Sequence, residues 1–141
     1  MYQFNYHKPE RLADAISIFQ GADDPMYLSG GMTLIPTMKQ RLAAPTDVID
    51  LSAIEELTGL IVSNNVVSVG GFTRHNDVAT SGEIKSVVPV LCELAGLIGD
   101  NQVRNRGTIG GSVANNDPAA DYPAAVVGLG ATVVTQDREI S

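Results

Sequence analysis

The sequence predicts two lobes, an α/β lobe followed by an α+β lobe, for an α+β chain overall. Three observations carry this expectation. Over the first fifty residues, apolar positions at helical spacing alternate with short apolar runs, an α/β pattern with parallel strands. A hairpin signal with a tight polar turn follows at Leu60–Val69. Beyond it, helix patterns mix with glycine-rich turns. The lobes are assigned to residues 1–56 and 57–141.

Pro9 can open a helix in its first turn, where a missing N–H costs little, and Leu12, Ala15, Ile16 and Phe19 then recur at helical spacing. Gly21 is a stop and Ala22-Asp23-Asp24-Pro25 a turn. Met26-Tyr27-Leu28 reads as a strand running into Ser29-Gly30-Gly31. Leu34, Met38 and Leu42 place one helical face over Thr33 to Leu42, with Pro36 tolerable only near its start. Val48 to Leu51 is the next strand. Leu60-Ile61-Val62 and Val66 to Val69 form the hairpin about Asn64-Asn65. Gly70-Gly71 and a polar turn, Thr73 to Asp77, lead to Val78-Ala79. Pro89 opens a helix with Val90, Leu94 and Leu97 on one face. Asp100 to Asn105 reads as a polar loop. Thr108 to Val113 holds too much glycine for an ordinary strand, and Ala119 to Leu129 is a helix whose regular part follows Pro123. Ala131 to Thr135 is a strand and Gln136 to Glu139 a turn. A strand and turn with nothing after them suggest a fragment; the alternative is an edge strand at a natural end.

Composition narrows the function classes. The chain has 141 residues, 44% apolar and 18% charged, enough to bury a core. A net charge of −7 argues against a general nucleic-acid binder. The single cysteine, Cys92, closes no internal disulfide and cannot ligate an iron–sulfur cluster by itself. His7 and His75 lie too far apart in sequence to suggest a structural zinc site. Met1 to Tyr6 show no basic region followed by an apolar core, so a signal peptide is not expected, and no apolar run approaches the roughly 20 residues of a membrane span. A cytoplasmic protein is expected.

Glycine is the informative residue, with fourteen copies. Six of them form pairs at 30–31, 70–71 and 110–111. The surroundings of the pairs do not repeat, so their even spacing is read as coincidence. A Gly-Gly pair permits positive φ in a tight turn, or it clears side chains so that consecutive backbone N–H groups can nest an anion. Ser29-Gly30-Gly31-Met32-Thr33 fits the second use, because it follows a strand and precedes a helix. Thr108-Ile109-Gly110-Gly111-Ser112 offers another nest with two hydroxyls. Two nests suit a pyrophosphate, while plain turn glycines remain the competing reading. The fingerprints G-x-G-x-x-G and G-x-x-x-x-G-K-[ST] are absent.

The segment from Gly99 to Ala125 is too polar and small-residue-rich for a core, and too long for an ordinary connection, so a binding role is expected. Together with Ser29 to Pro36, Phe4 to Pro9, Met38 to Leu42 and Thr73-Arg74-His75, it resembles the FAD-binding medium subunit of molybdenum hydroxylases. The pattern is nearer to carbon monoxide dehydrogenase medium subunits than to the FAD domain of xanthine dehydrogenase. The resemblance spans essentially the whole chain.

That resemblance implies a two-lobed FAD-binding fold of the vanillyl-alcohol-oxidase type. Both Gly-Gly loops would hold the FAD pyrophosphate, through Ser29, Gly30, Gly31, Met32 and Thr33 and through Thr108, Ile109, Gly110, Gly111 and Ser112. Ser29 replaces a more usual alanine. Asp121 would contact a ribityl or adenosine hydroxyl, and Ile98 falls where the family has an apolar residue near the flavin ring. The implied role is electron transfer in an oxidoreductase. A molybdopterin-containing large subunit oxidises substrate, an iron–sulfur subunit relays electrons, and FAD passes them to an acceptor. Intact assemblies would be dimers of heterotrimers. Family subunits are longer, so the second lobe is expected to be truncated here. The alternatives are an independent flavin oxidoreductase and a fold that binds no flavin and serves as an interaction module.

Other residues read as structural. His75, beside Arg74 and Asp77, fits a polar turn that fixes a hairpin, since no nucleophile lies near it. Cys92 reads as a small buried hydrophobe. Asp117 and Asp121 lack the second motif that a hydrolase would need. Arg104 and Arg106 anchor the loop, contact a partner subunit, or both.

Overall fold

A computed structural model describes all residues from Met1 to Ser141. The chain begins with a three-stranded parallel sheet, in the order β1-β3-β2, formed by Asn5–His7, Pro25–Leu28 and Asp47–Asp50. Helix α1 (Leu12–Gly21) makes the crossover from β1 to β2, and α2 (Leu34–Lys39) the crossover from β2 to β3. The parallel pairing agrees with the sequence expectation. The sheet has one strand more than predicted, because Asn5–His7 pairs with Asp47–Ile49. Polar contacts fasten that strand: His7 Nε2 lies 2.7 Å from Asp47 Oδ1, and the Tyr6 hydroxyl donates to Asp50.

Helix α1 turns Leu12, Ala15 and Ile18 towards Ile49 and Ile54, both fully buried. It starts at Leu12, three residues after Pro9, so that proline precedes the helix instead of opening it. Phe19 was expected on the buried stripe but stays 37% exposed. Helix α2 is shorter than predicted: it buries Met38 and stops at Lys39, leaving Leu42 exposed.

The hairpin β4 (Leu60–Ser63) and β5 (Val66–Val69) forms in the expected register about Asn64-Asn65. Both asparagines have positive φ, 50° and 61°, as a two-residue hairpin turn requires. The rest is more helical than the sequence pattern suggested. The expected polar turn at Thr73 to Asp77 is instead the start of α3 (His75–Thr80). Helix α4 (Gly82–Val87) was not anticipated. The expected loop at Asp100 to Asn105 contains α6 (Asn101–Arg104), and the glycine-rich stretch forms α7 (Ile109–Asn115). Local capping explains three of these. Ser81, Asp100 and Thr108 each accept, through the side chain, the N–H three residues on, which satisfies a donor that every helix start leaves free.

Helix α5 (Pro89–Leu97) begins at its proline, as expected. Its buried face is Leu91, Cys92 and Ala95, whereas Val90 and Leu97 of the predicted stripe are exposed. The helix is almost uniformly apolar, so composition offers two stripes and packing selects one. Leu91, Cys92 and Ala95 join Val78, Ile84 and Tyr122 in a core closed by α8 (Asp121–Gly128). Strands β6 (Val133–Val134) and β7 (Glu139–Ile140) pair as a short antiparallel hairpin. No helix is long and apolar enough to cross a membrane.

Candidate functional site

The three Gly-Gly pairs meet in space, although their surroundings share no sequence. Segments 71–75 and 107–110 run alongside each other, with N–H donation from His75 to Gly107 O (3.0 Å), Ile109 to Thr73 O (3.0 Å) and Gly110 to Gly71 O (2.9 Å). A Cβ on Gly110 would stand 2.5 Å from Gly71 O and 2.7 Å from Gly71 Cα. One on Gly30 would stand 2.2 Å from Arg106 O and 2.7 Å from Gly107 Cα. These glycines let backbone cross backbone, and the crossings bring the loop after β2 against the start of α7. The Ser29 and Thr108 hydroxyls meet there at 2.7 Å, and Thr108 Oγ1 also accepts from Gly111 N–H.

Between the two loops lies a cleft of about 730 Å³. Of its lining residues, six are glycine: Gly30, Gly31, Gly71, Gly107, Gly110 and Gly111. Ser29, Met32, Thr33, Thr108 and Ser112 also line it, so nine of the twelve residues expected from the sequence line one cleft. Ile109 and Ile98 pack instead against the core around Val78 and Ala95. Asp121 lies one residue beyond the cleft-lining Ala120.

The two loops differ in what they offer an anion. At the start of α7 the N–H groups of Ile109, Gly110, Gly111 and Ser112 all have partners within the protein. After β2 the N–H groups of Gly30, Gly31, Met32, Thr33 and Leu34 form an unbroken run with none. Gly30 and Gly31 are buried, where an unpaired N–H is costly. Gly31 sits at φ +75°, and a left-handed residue within such a run turns successive N–H groups towards one point. No lysine or arginine lines the cleft, and its one carboxylate is Asp117. An anion held here is held by backbone and hydroxyl donors.

Sequence reasoning left Gly70-Gly71 outside the site and gave His75, Phe19 and Tyr27 structural places only. Gly71 belongs to the crossing that shapes the cleft. His75 is 5% exposed and faces Gly107, where a Cβ would come within 2.5 Å of Nε2. Its Nδ1 is buried without a partner, as is the Tyr122 hydroxyl, and the two ring centroids are 5.3 Å apart. Burial lowers the His75 pKa, opposed in part by nearby Asp121, and burial pushes the Tyr122 hydroxyl up. A neutral imidazole is thus a wall of the cleft, not a poised base. Cys92 behaves as a hydrophobe: it is buried, and burial raises its thiol pKa. Arg104 anchors its loop by donating to Ile98 O at 3.2 Å.

Residues 2–140 match the model of the family described as FAD binding domain in molybdopterin dehydrogenase. The glyceraldehyde dehydrogenase medium chain of Sulfolobus acidocaldarius is 39% identical over 132 residues, 94% of this chain and 47% of that protein. The carbon monoxide dehydrogenase of Hydrogenophaga pseudoflava contains a chain 40% identical to this one, with a TM-score of 0.86 over 89% of this chain and 44% of that one. A chain of quinoline 2-oxidoreductase from Pseudomonas putida 86 superposes with a TM-score of 0.94 at 31% identity, covering 99% of this chain and 50% of the other. The chain thus spans about half the length of the relatives it matches.

Proposed function

The chain belongs to the family of FAD-binding domains in molybdopterin dehydrogenases, and we propose that it holds FAD in the cleft between its two glycine loops. The observation that carries this reading is the run of five unpaired N–H groups from Gly30 to Leu34, set opposite a second glycine loop in a cleft without cationic side chains. A pyrophosphate supplies the acceptors that such a run lacks. Thr33, Ser112 and one member of the Ser29–Thr108 hydroxyl pair add hydroxyl donors, and Gly110 and Gly111 keep the second loop free of side chains. Asp121 reaches a ribityl or ribose hydroxyl of the cofactor, while Ile98 and Ile109 brace the second loop from behind. The lobes 1–56 and 57–141 then correspond to the two lobes of a vanillyl-alcohol-oxidase type fold.

Bound flavin would supply one- and two-electron redox chemistry. The contribution of this chain is to fix the cofactor's phosphates, to keep cationic side chains out of the cleft, and to wall it with the neutral His75. With one cysteine the chain cannot house an iron–sulfur relay of its own. Similarity to carbon monoxide dehydrogenase supports the role of the flavin-holding part of a medium subunit of that type. Flavin held by these loops would take electrons from an iron–sulfur partner, itself reduced by a molybdopterin-containing large subunit, and would pass them to an acceptor. The test is the visible spectrum of the purified chain after incubation with FAD and desalting. Flavin bands near one equivalent support the reading, and a colourless protein contradicts it.

A further inference from the structure

We propose that the exposed corner after α2 is a docking knob, and that its partner is a second copy of this chain, which receives it in an acidic cleft beside the start of α1. The inference is independent of the FAD reading. Helix α2 ends in a Schellman turn: Arg41 N–H donates to Met38 O and Leu42 N–H to Thr37 O, both at 3.0 Å. Two features depart from what such a turn favours by itself. Arg41 occupies the left-handed position, at φ 62°, where glycine costs least. Leu42 stays 75% exposed instead of packing back on the helix. A corner that meets another surface accounts for both departures. The Arg41 guanidinium also lies over the Tyr2 ring, 5.6 Å from its centroid, which restrains it. From Pro25 to Thr46 the only charged residues are Lys39 and Arg41, both exposed, in a chain of net charge −7.

The complement lies on the same molecule. A cleft of about 670 Å³ is lined by Glu10, Glu55 and Glu56 together with Leu12, Ala13 and Ala53. Its one cation, Arg11, is 3.9 Å from Asp14. An apolar lining with three carboxylates suits a leucine set between two cations. The knob cannot fill the cleft of its own chain. Strand β3 lies between β1 and β2, so the two right-handed crossovers run in opposite directions and place α1 and α2 on opposite faces of the sheet. The cleft belongs to the α1 face, where Ile54, between Ala53 and Glu55, packs with Ala15. The knob follows α2 on the other face. The contact is therefore intermolecular and heterologous: each copy offers both surfaces, and association continues from chain to chain. A knob this small buries far less than the roughly 1,200 Å² of a stable interface, so the association is weak and salt weakens it further.

Sedimentation velocity of the full chain, up to millimolar concentration, is the test. At low salt the average mass should rise with concentration, without a plateau at the dimer. In about 1 M salt, where charges are screened beyond about 3 Å, it should stay that of one chain. Lys39→Glu with Arg41→Glu reverses the knob, and Glu10→Lys with Glu55→Lys reverses the cleft; all four residues are exposed. Each reversed chain alone should sediment as a monomer. An equimolar mixture of the two should associate again, because each reversed surface then meets its opposite. Leu42→Ser, which changes no charge, should leave the otherwise unmodified chain monomeric, and in both reversed chains it should abolish the recovery. An unmodified chain that stays monomeric at low salt would overturn the proposal. Association that persists in Leu42→Ser and in both reversed chains would place the contact on another face and overturn it as well. A mixture of the reversed chains that stays monomeric would overturn the pairing of knob with cleft.

Discussion

Replacing Gly110 with alanine tests the backbone crossing on which the cleft depends. The added Cβ would lie 2.5 Å from Gly71 O, 2.7 Å from Gly71 Cα and 2.9 Å from Gly71 C. Carbon atoms rest at about 3.5 Å, so the two segments must part by about 1 Å. The neighbours are backbone and cannot rotate aside. Overpacking of this kind costs about 1–3 kcal/mol, and the 2.9 Å bond from Gly110 N–H to Gly71 O, worth about 1 kcal/mol, is lost as the segments separate. Alanine regains about 1 kcal/mol of helix propensity, because Gly110 lies within α7. The net expectation is a loss of about 1–3 kcal/mol, or a fall in Tm of roughly 3–10 °C for a chain of this size. Thermal and urea unfolding measure it. Gly128→Ala is the control: it is also helical and has nothing within 4 Å of the added Cβ, so it should be neutral or stabilising by up to about 1 kcal/mol. A Gly110→Ala protein as stable as the unmodified chain would refute the close crossing.

Three further outcomes are expected. Gly111→Val places a side chain where a Cβ already meets Thr108 Oγ1 at 2.7 Å and Ser29 Cβ at 3.4 Å, so flavin retained after desalting should fall to background; full retention would remove Gly111 from the site. Ser29→Ala deletes the hydroxyl bond to Thr108 and should lower stability by about 0.5–1.5 kcal/mol in urea titration, with no change denying that bond any weight. Burial holds His75 below its ordinary 6.5 in the folded chain, so the unfolded chain binds more protons as the pH falls. The contribution of neutral His75 is complete above about pH 6.5 and is lost as pH falls towards the lowered folded value. His75→Gln should flatten the stability slope in that window, and an unchanged slope would contradict the buried neutral imidazole.

Periodicity and turn chemistry made much of the fold legible. The parallel strands, the Asn64-Asn65 hairpin and the proline that opens α5 follow from local patterns that packing left alone. The α5 face did not, because Val90, Leu94 and Leu97 are as apolar as Leu91, Cys92 and Ala95, and contacts from distant elements decide between them. Helices α4, α6 and α7 are short and weakly periodic; their signal lay in the caps Ser81, Asp100 and Thr108. The N-terminal strand also carried a signal, since Tyr2, Phe4 and Tyr6 alternate. The loops at Ser29–Thr33 and Thr108–Ser112 were legible as candidate anion sites. Their division of labour was not, because whether a backbone N–H is already paired depends on residues far away in sequence. Gly71 needed the fold to acquire a role at all.

Amide resonances report most directly on whether the unpaired N–H run is where the cofactor's phosphates bind. In a titration of the isotopically labelled chain with FAD, followed by heteronuclear NMR, the amides of Gly30, Gly31, Met32, Thr33 and Leu34 should show the largest shifts and saturate together. FAD binding that leaves those amides unmoved, with the shifts clustered elsewhere, would contradict the account.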